Sequence, residues 1–349
     1  MAPQPAAIPK GLESTGNRGL ILKEPYGATL VIGPFNAPIL LLLDPAIAAL
    51  AAGNTVVLKP ANTTPATAAL FQKVRASVFR ARECRCHDWW ARGDCRSARL
   101  TLRLHLLHRE FRRRQDCDAC GGREPDASGS GAGRPEPTIV DETANLDIAA
   151  DRIAWGHNAI SGQWCIAPGY VYVHESVADA FIARLKASIV RMYGEDPQQS
   201  PDFARMISEH DAQRVASYIV PWKVVHGGRF DIKARYVEPT VLYPSTWDDP
   251  ALQQEVFGPV LPVMPNTDLK EIVGIMKRKP KSLAAYVFSK SQANIDYVLG
   301  RLSFGGGCVN QTTCIAGSAV CRSVGSATAA WANTTARPAS MRSATPRRC

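Results

Sequence analysis

The feature that most constrains this chain is a regular alternation of short β-branched runs and helical stretches starting at Tyr26. Ala28 to Ile32 is a short apolar run closed by Gly33 and Pro34, which predicts a buried strand. Leu40 to Ala52 predicts a helix stopped by Gly53 and Asn54. Thr55 to Leu58 is β-branched and predicts the next strand. Thr64 stands where it can cap a helix that has Pro65 in its first position and runs to about Lys73. Such alternation with short links buries both strand faces in a parallel sheet covered by helices on each side.

The same texture resumes after Arg134. Pro137 to Val140 and Tyr170 to Val173 read as strands, and Asp147 to Ala159 as a helix. Ser176 is expected to cap a helix whose Val177, Phe181, Ile182, Leu185, Ile189 and Met192 form one apolar stripe ending at Gly194. A helix from Leu269 to Lys277, a strand from Ala284 to Phe288 and a helix from Ala293 to Leu302 follow. The fold class is therefore α/β, and 349 residues suffice for two domains. The longest apolar run, Pro38 to Ala52, is interrupted by Asp44 and Pro45, so no membrane span is expected. Met1 to Lys10 lacks the pattern of a secretory signal, which sets a cytoplasmic location with reduced cysteines as the expectation.

A net charge of +10 suggests nucleic-acid binding until the charge is located. Arg75 to Arg134 holds fourteen Arg, no Lys and eight acids, and Thr312 to Cys349 holds five Arg with neither Lys nor acid. The rest of the chain is close to neutral. The same two islands hold eight of the ten cysteines, leaving only Cys165 and Cys308 in ordinary sequence. Inside them, Cys84, Cys86, His87, Cys117 and Cys120 have the chemistry of zinc ligands, but one residue between Cys84 and Cys86 is too few for the usual spacing. Arg112 to Arg114 beside Trp89 and Trp90 reads as a basic segment without a partner. Neither a metal nor a nucleic acid is expected.

Four short motifs carry chemistry. They are Gly33-Pro34-Phe35-Asn36-Ala37-Pro38, Leu58-Lys59-Pro60-Ala61, Gly162-Gln163-Trp164-Cys165-Ile166-Ala167-Pro168 and Glu255-Val256-Phe257-Gly258-Pro259-Val260. In type and order they resemble the aldehyde dehydrogenase superfamily over roughly Tyr26 to Lys73 and Pro137 to Gln311. Each residue alone has a plainer reading: a lone Cys is usually a small buried hydrophobe, and Asn36 beside Pro a turn residue. The resemblance implies that Cys165 is the nucleophile, a role suited to a thiolate. It implies that Asn36 and the backbone N–H of Cys165 donate to the oxyanion. It further implies that Lys59 and Glu255 hold cofactor ribose hydroxyls, that Phe257 packs near the nicotinamide end, and that Pro34 belongs to the cofactor-binding set. The expected cofactor is NAD or NADP, and the choice stays open because Asn62 stands where Glu is common. Gly169 likewise stands where many relatives carry an acid. The partners implied are a small-molecule aldehyde and further copies of the chain, in a dimer or tetramer.

Two further family elements belong between Lys73 and Pro137: F-T-G-S, which seats a pyrophosphate at a helix N-terminus, and E-L-G-G, whose Glu is the general base. Neither is present as written. Leu107 to Arg114 admits a coding that yields F-T-G-S-S-A-V-G when read one base later, and Arg123 to Arg134 likewise admits E-L-G-G. The tail from Thr312 admits the family's C-terminal Gly-rich signature in the other shifted frame. Residues 74–134 and 312–349 are accordingly expected to be off frame. The expected domains are a shortened Rossmann-like cofactor domain over 1–139, an α/β catalytic domain over 140–306, and a return to the cofactor domain over 307–349. The expected reaction is oxidation of an aldehyde to a carboxylic acid, the alternative being a frame-damaged, catalytically dead remnant.

Overall fold

The computed structural model describes residues 24–78 and 135–314, together with the backbone of five short strands outside them. Those residues fall into two compact units, one before residue 131 and one after it.

In the first unit, β1 (Gln4–Ala6) and β2 (Gly19–Ile21) pair antiparallel. β3 (Ala28–Ile32), α1 (Leu40–Ala51), β4 (Thr55–Lys59) and α2 (Pro65–Val78) then follow, close to the elements expected from the sequence. β3 and β4 pair in parallel, and β5 (Cys84–Cys86), β6 (His105–Leu107) and β7 (Gly129–Ser130) complete a parallel sheet of order β5-β4-β3-β6-β7. Leu42, Ala46 and Ala49 of α1 pack on Val31, Val56 and Leu58 of the strands. Asn54 links the helix end to the sheet: its Nδ2 donates to the Ala49 carbonyl at 2.9 Å and its Oδ1 accepts from Gly27 N–H at 2.9 Å. His87, Cys117 and Cys120, considered above as zinc ligands, lie outside the described residues, as do Trp89, Trp90 and Arg112 to Arg114.

The second unit is built on a seven-stranded sheet. In chain order come β8 (Glu136–Val140), α3 (Leu146–Asn158), β9 (Pro168–His174), α4 (Ala178–Tyr193), α5 (Glu209–Ala216), β10 (Val224–His226), β11 (Phe230–Asp231), β12 (Tyr236–Val237) and β13 (Thr240–Leu242). α6 (Pro250–Gln253), β14 (Val260–Asn266), α7 (Leu269–Arg278), β15 (Ala284–Phe288), α8 (Gln292–Arg301) and β16 (Gly306–Val309) follow. The sheet order is β10-β13-β14-β9-β8-β15-β16, and only the β10 edge is antiparallel.

Both faces of this sheet are covered, which is why its inner strands read as nearly continuous apolar runs. On β9, Tyr170 and Tyr172 pack with Ile272, Val273 and Met276 of α7 and with Ile295 and Val298 of α8. Val171 and Val173 point the other way and are equally buried. α3 and α4 pack together and are joined by Asp151, which accepts from Ser188 Oγ at 2.5 Å and Arg191 at 2.6 Å. A second core of Met206, Val215, Tyr218, Val237, Leu242 and Val256 underlies the β13–β14 side.

Two expectations need correction. Ser176 does not cap α4: the residue before that helix is Val177, whose side chain makes no cap bond. A short 3-10 turn over Glu175–Val177 intervenes, and it is His174 that accepts from Ser176 N–H. Met192 of the proposed stripe is only half-buried, and Tyr193 takes the inward position at the end of α4. The two compact units divide near residue 131, and β8 pairs with both β9 and β15 within the second. Gly306–Val309 also lies in the second unit, as a strand paired to β15.

Candidate active site

Cys165 lies in the turn between α3 and β9, and the turn is built from backbone that few side chains tolerate. Asn145 caps α3, its Oδ1 accepting from the N–H groups of Asp147 and Ile148 at 3.2 Å each. After Asn158 the chain passes through three consecutive left-handed residues, Ile160 (φ 54°), Ser161 (φ 55°) and Gly162 (φ 69°). Gly162 fits because it lacks a Cβ: one built there would lie 2.3 Å from the Gly258 carbonyl oxygen. This close approach brings the Cys165 turn against the Glu255–Gly258 segment.

Four side chains fix the turn. Buried Gln163 donates from Nε2 to the carbonyls of Ile160 (2.9 Å) and Arg205 (3.0 Å), and its Oε1 accepts from Ile207 N–H at 2.9 Å. Trp164 meets Trp155 edge-on at 6.2 Å. The Tyr286 hydroxyl, reaching from the middle of β15, donates to the Ile166 carbonyl at 2.6 Å. His157 Nδ1, from the last turn of α3, stands 2.8 Å from the Pro168 carbonyl, so this nitrogen carries the proton. Burial lowers His157 to about 4 and keeps the ring neutral. Gly169 follows, where many relatives carry an acid, and a Cβ built on it would lie 2.4 Å from Glu136 N.

The electrostatics of the pocket are set by burial. Cys165 is 7 % exposed, and burial pushes its thiol well above the ordinary range, with the negative fields of Glu255 and Glu136 acting in the same direction. Burial raises the Glu255 carboxyl to about 8, against the opposing pull of Arg214. Arg214 also donates to the Val256 carbonyl at 2.8 Å and so holds this segment in place. Glu136 is fully enclosed and raised as well, although its carboxylate accepts from Leu283 N–H (3.2 Å) and Ala284 N–H (2.5 Å). Glu136, His157, Trp164, Glu255 and Phe257 line one cavity of about 20 Å³, room for roughly one water.

Of the residues expected from the sequence, the second unit thus brings together Cys165, Glu255 and Phe257, the last at φ 49°. Pro34, Asn36 and Lys59 belong to the first unit, at the carboxyl ends of β3 and β4. Gly33 N–H donates to the Lys59 carbonyl at 2.9 Å, joining these two loops. Lys59 is buried, and its ammonium donates to the Pro60 carbonyl at 2.6 Å and to Asn62 Oδ1 at 2.5 Å. Asn62 therefore neutralises no charge on Lys59 but does fix its position. The sequence did not single out Glu136, His157 or Tyr286. Glu136 and Tyr286 are polar residues in otherwise apolar strands and His157 one of several polar residues of α3, and none of these signals says which carbonyl or N–H is met. Among the described residues there is no group of side chains fit to hold a metal ion, and no helix long and apolar enough to cross a membrane.

The model of the aldehyde dehydrogenase family matches residues 4–78 and 132–325 and leaves 79–131 unmatched. The chain is 35% identical over 304 residues to a Staphylococcus aureus (strain NCTC 8325 / PS 47) protein named 4,4'-diaponeurosporen-aldehyde dehydrogenase, covering 84% of this chain and 65% of that protein. It is 33% identical over 295 residues to the Rattus norvegicus aldehyde dehydrogenase named dimeric and NADP-preferring, covering 82% and 63% respectively. The chain thus spans somewhat less than two thirds of these relatives' lengths. Among solved structures, the substrate-bound state of Staphylococcus aureus AldH superposes with a TM-score of 0.85 at 32% identity, covering 90% of this chain and 69% of that one. The NAD-dependent aldehyde dehydrogenase from Sinorhizobium meliloti superposes at 0.75 with 26% identity, covering 84% and 61%.

Proposed function

Because the chain belongs to the aldehyde dehydrogenase family, we propose that it oxidises an aldehyde to a carboxylic acid through a covalent bond to Cys165, with NAD or NADP as hydride acceptor. The observation that carries this reading is the Cys165 turn itself: a buried thiol on a turn fixed at Gln163, Ile166 and Pro168, beside two enclosed carboxyls. In this reading the Cys165 thiol gives up its proton and its sulfur bonds to the aldehyde carbon. The Asn36 amide and the Cys165 backbone N–H donate to the oxygen that becomes negative. A bound nicotinamide would supply the acceptor for the hydride that leaves that carbon. The thioester left on Cys165 is hydrolysed by water, releasing the acid and restoring the thiol.

The residues present suit a dinucleotide in part. Lys59 stands at the carboxyl end of a parallel strand, where α/β sheets take their ligands. The carboxyl of Glu255 makes no hydrogen bond among the described residues, which leaves it free for a ribose hydroxyl. Pro34 and Phe257 supply apolar contact in the same reading. The aldehyde is a small molecule, the setting cytoplasmic, and the working form a homodimer or homotetramer.

Burial keeps the thiol protonated at neutral pH, so attack and hydrolysis both need a base. The reading places the pyrophosphate-seating turn at Leu107 to Arg114, within the stretch 79–131 that the family model leaves unmatched, and the base across Gly131 and Ala132, at its edge. The same reading takes residues 74–134 and 312–349 as off frame, although the family match continues to residue 325. A second reading rests on the same stretch: made as written, the chain lacks both the pyrophosphate-seating turn and the base, and is a stalled, catalytically dead remnant. Sequencing the transcript over codons 70–140 and from 305 onward separates the two. Restored F-T-G-S and E-L-G-G motifs support the working enzyme, and an unchanged sequence supports the stalled one. For the chemistry, Cys165→Ser in the frame-restored protein is expected to abolish aldehyde-dependent reduction of the nicotinamide while dinucleotide binding persists. Retained turnover would place the nucleophile elsewhere.

A further inference from the structure

A cavity of about 430 Å³ opens in the second unit where β8 and β15 begin, between the end of α7, the residues after α8, and Trp247. Its lining separates by chemistry. Tyr170, Trp247, Leu252, Met276, Leu302 and Phe304 give it aromatic and apolar surface. Lys277, Lys279, Lys281 and Arg301 line it as well, and all four are exposed.

None of these four cations meets a carboxylate among the described residues. Lys279 Nζ lies instead 3.9 Å from the centre of the Trp247 ring, and the Arg301 guanidinium 3.9 Å from that of Tyr297. Glu136, between the lining residues Pro135 and Pro137, has both oxygens engaged by Leu283 and Ala284 N–H and is not available to them. Cations are favoured in the last turn of a helix, which accounts for Lys277 in α7 and Arg301 in α8. That preference does not account for Lys279 and Lys281, which lie beyond the end of α7. A concave site with aromatic walls and a few convergent charges of one sign has the make-up of a small-molecule pocket.

We propose that this cavity binds a small aromatic anion, one or two fused rings bearing a phosphate or a carboxylate. The rings lie against Trp247, Tyr170 and Phe304, and the anionic group is met by Lys279, Lys281 and Arg301. Lys279 leaves the face of Trp247 to reach the anion, exchanging a cation–π contact for a stronger charge-assisted hydrogen bond.

The proposal stands apart from the oxidation of aldehydes and is tested on the whole chain by calorimetric titration. The probes are 1-naphthyl phosphate and 1-naphthoate, with 1-naphthol as the uncharged control. Saturable binding of at least one anion is expected, with 1-naphthol weaker by about tenfold or more. The double variant Lys279→Gln/Lys281→Gln, whose changes lie at the surface, should weaken the anion by about tenfold or more and leave the circular dichroism spectrum unchanged. Binding that survives a saturating concentration of NAD supports a separate site. No saturable binding, equal affinity for 1-naphthol, an unaffected double variant, or displacement by NAD each overturns the proposal.

Discussion

The Cys165 thiol shows how far burial alone sets reactivity. A free cysteine ionises near pH 8.5, whereas Cys165, enclosed beside Glu255 and Glu136, is held higher. Its alkylation by iodoacetamide is therefore expected to climb throughout the alkaline range without levelling near the ordinary thiol value, and an early plateau would contradict the assigned environment. Glu255 has a consequence for stability. Its folded value of about 8 exceeds the ordinary 4.5, so the native state keeps a proton that the unfolded chain releases. Stability on this account falls as pH rises from about 4.5 to about 8. Glu255→Gln should flatten that fall in a series of thermal melts, and a slope equal to that of the parent would remove Glu255 as its source. Tyr286→Phe leaves the Ile166 carbonyl buried without its donor, at a cost of about 1–3 kcal/mol. If Tyr286 positions the nucleophile, the pH profile of Cys165 alkylation shifts as well. A lower melting temperature with an unchanged profile would make its role structural only.

At the scale of the element, the turn from α3 to β9 combines strain with close approach. Ile160 is β-branched, exposed and left-handed, a conformation that costs about 1–3 kcal/mol in a non-glycine residue. Asn tolerates that conformation better, so Ile160→Asn should raise stability by about 1 kcal/mol in denaturant titrations. A destabilised variant would mean that Ile160 contributes packing its exposure does not reveal. Gly169→Asp drives a side chain into the backbone of β8 at Glu136. It is expected to cost about 1–3 kcal/mol, or to displace β8. The motif around Cys165 was legible in the sequence because its chemistry needs those residue types in a fixed order. Its clamps were not: Tyr286 and His157 lie 121 residues downstream and eight residues upstream of Cys165, on different elements, and no local pattern links either to a particular carbonyl. Ser176 misled for a related reason, since a Ser before an apolar stripe is a sound cap signal, but the short 3-10 turn moved the helix start one residue on.

For the whole molecule, the parallel sheets of both units follow from alternation readable along the chain, as β3, α1 and β4 and then β8, α3 and β9 show. Restoring the reading frame across 74–134 is expected to increase dinucleotide affinity and to confer cofactor-dependent turnover. A restored chain that binds dinucleotide but fails to turn over would disprove the proposed base, and one that does not bind would disprove the proposed turn. The sequence by itself determined the fold class, the strands Ala28–Ile32 and Ala284–Phe288, and the family to which Cys165, Asn36, Lys59 and Glu255 point. These depend on periodicity and on residue types at short range. The tertiary structure decided that β8 and β16 lie in one sheet with β9, that Gly162 and Gly169 leave room for neighbouring backbone, and that buried Glu255 and Glu136 stand close enough to act on the Cys165 thiol. It also decided that Lys279 and Lys281 face an aromatic cavity. Each of these is a contact between segments far apart in the chain, fixed by strand order and burial, and no local sequence pattern records which segments will meet.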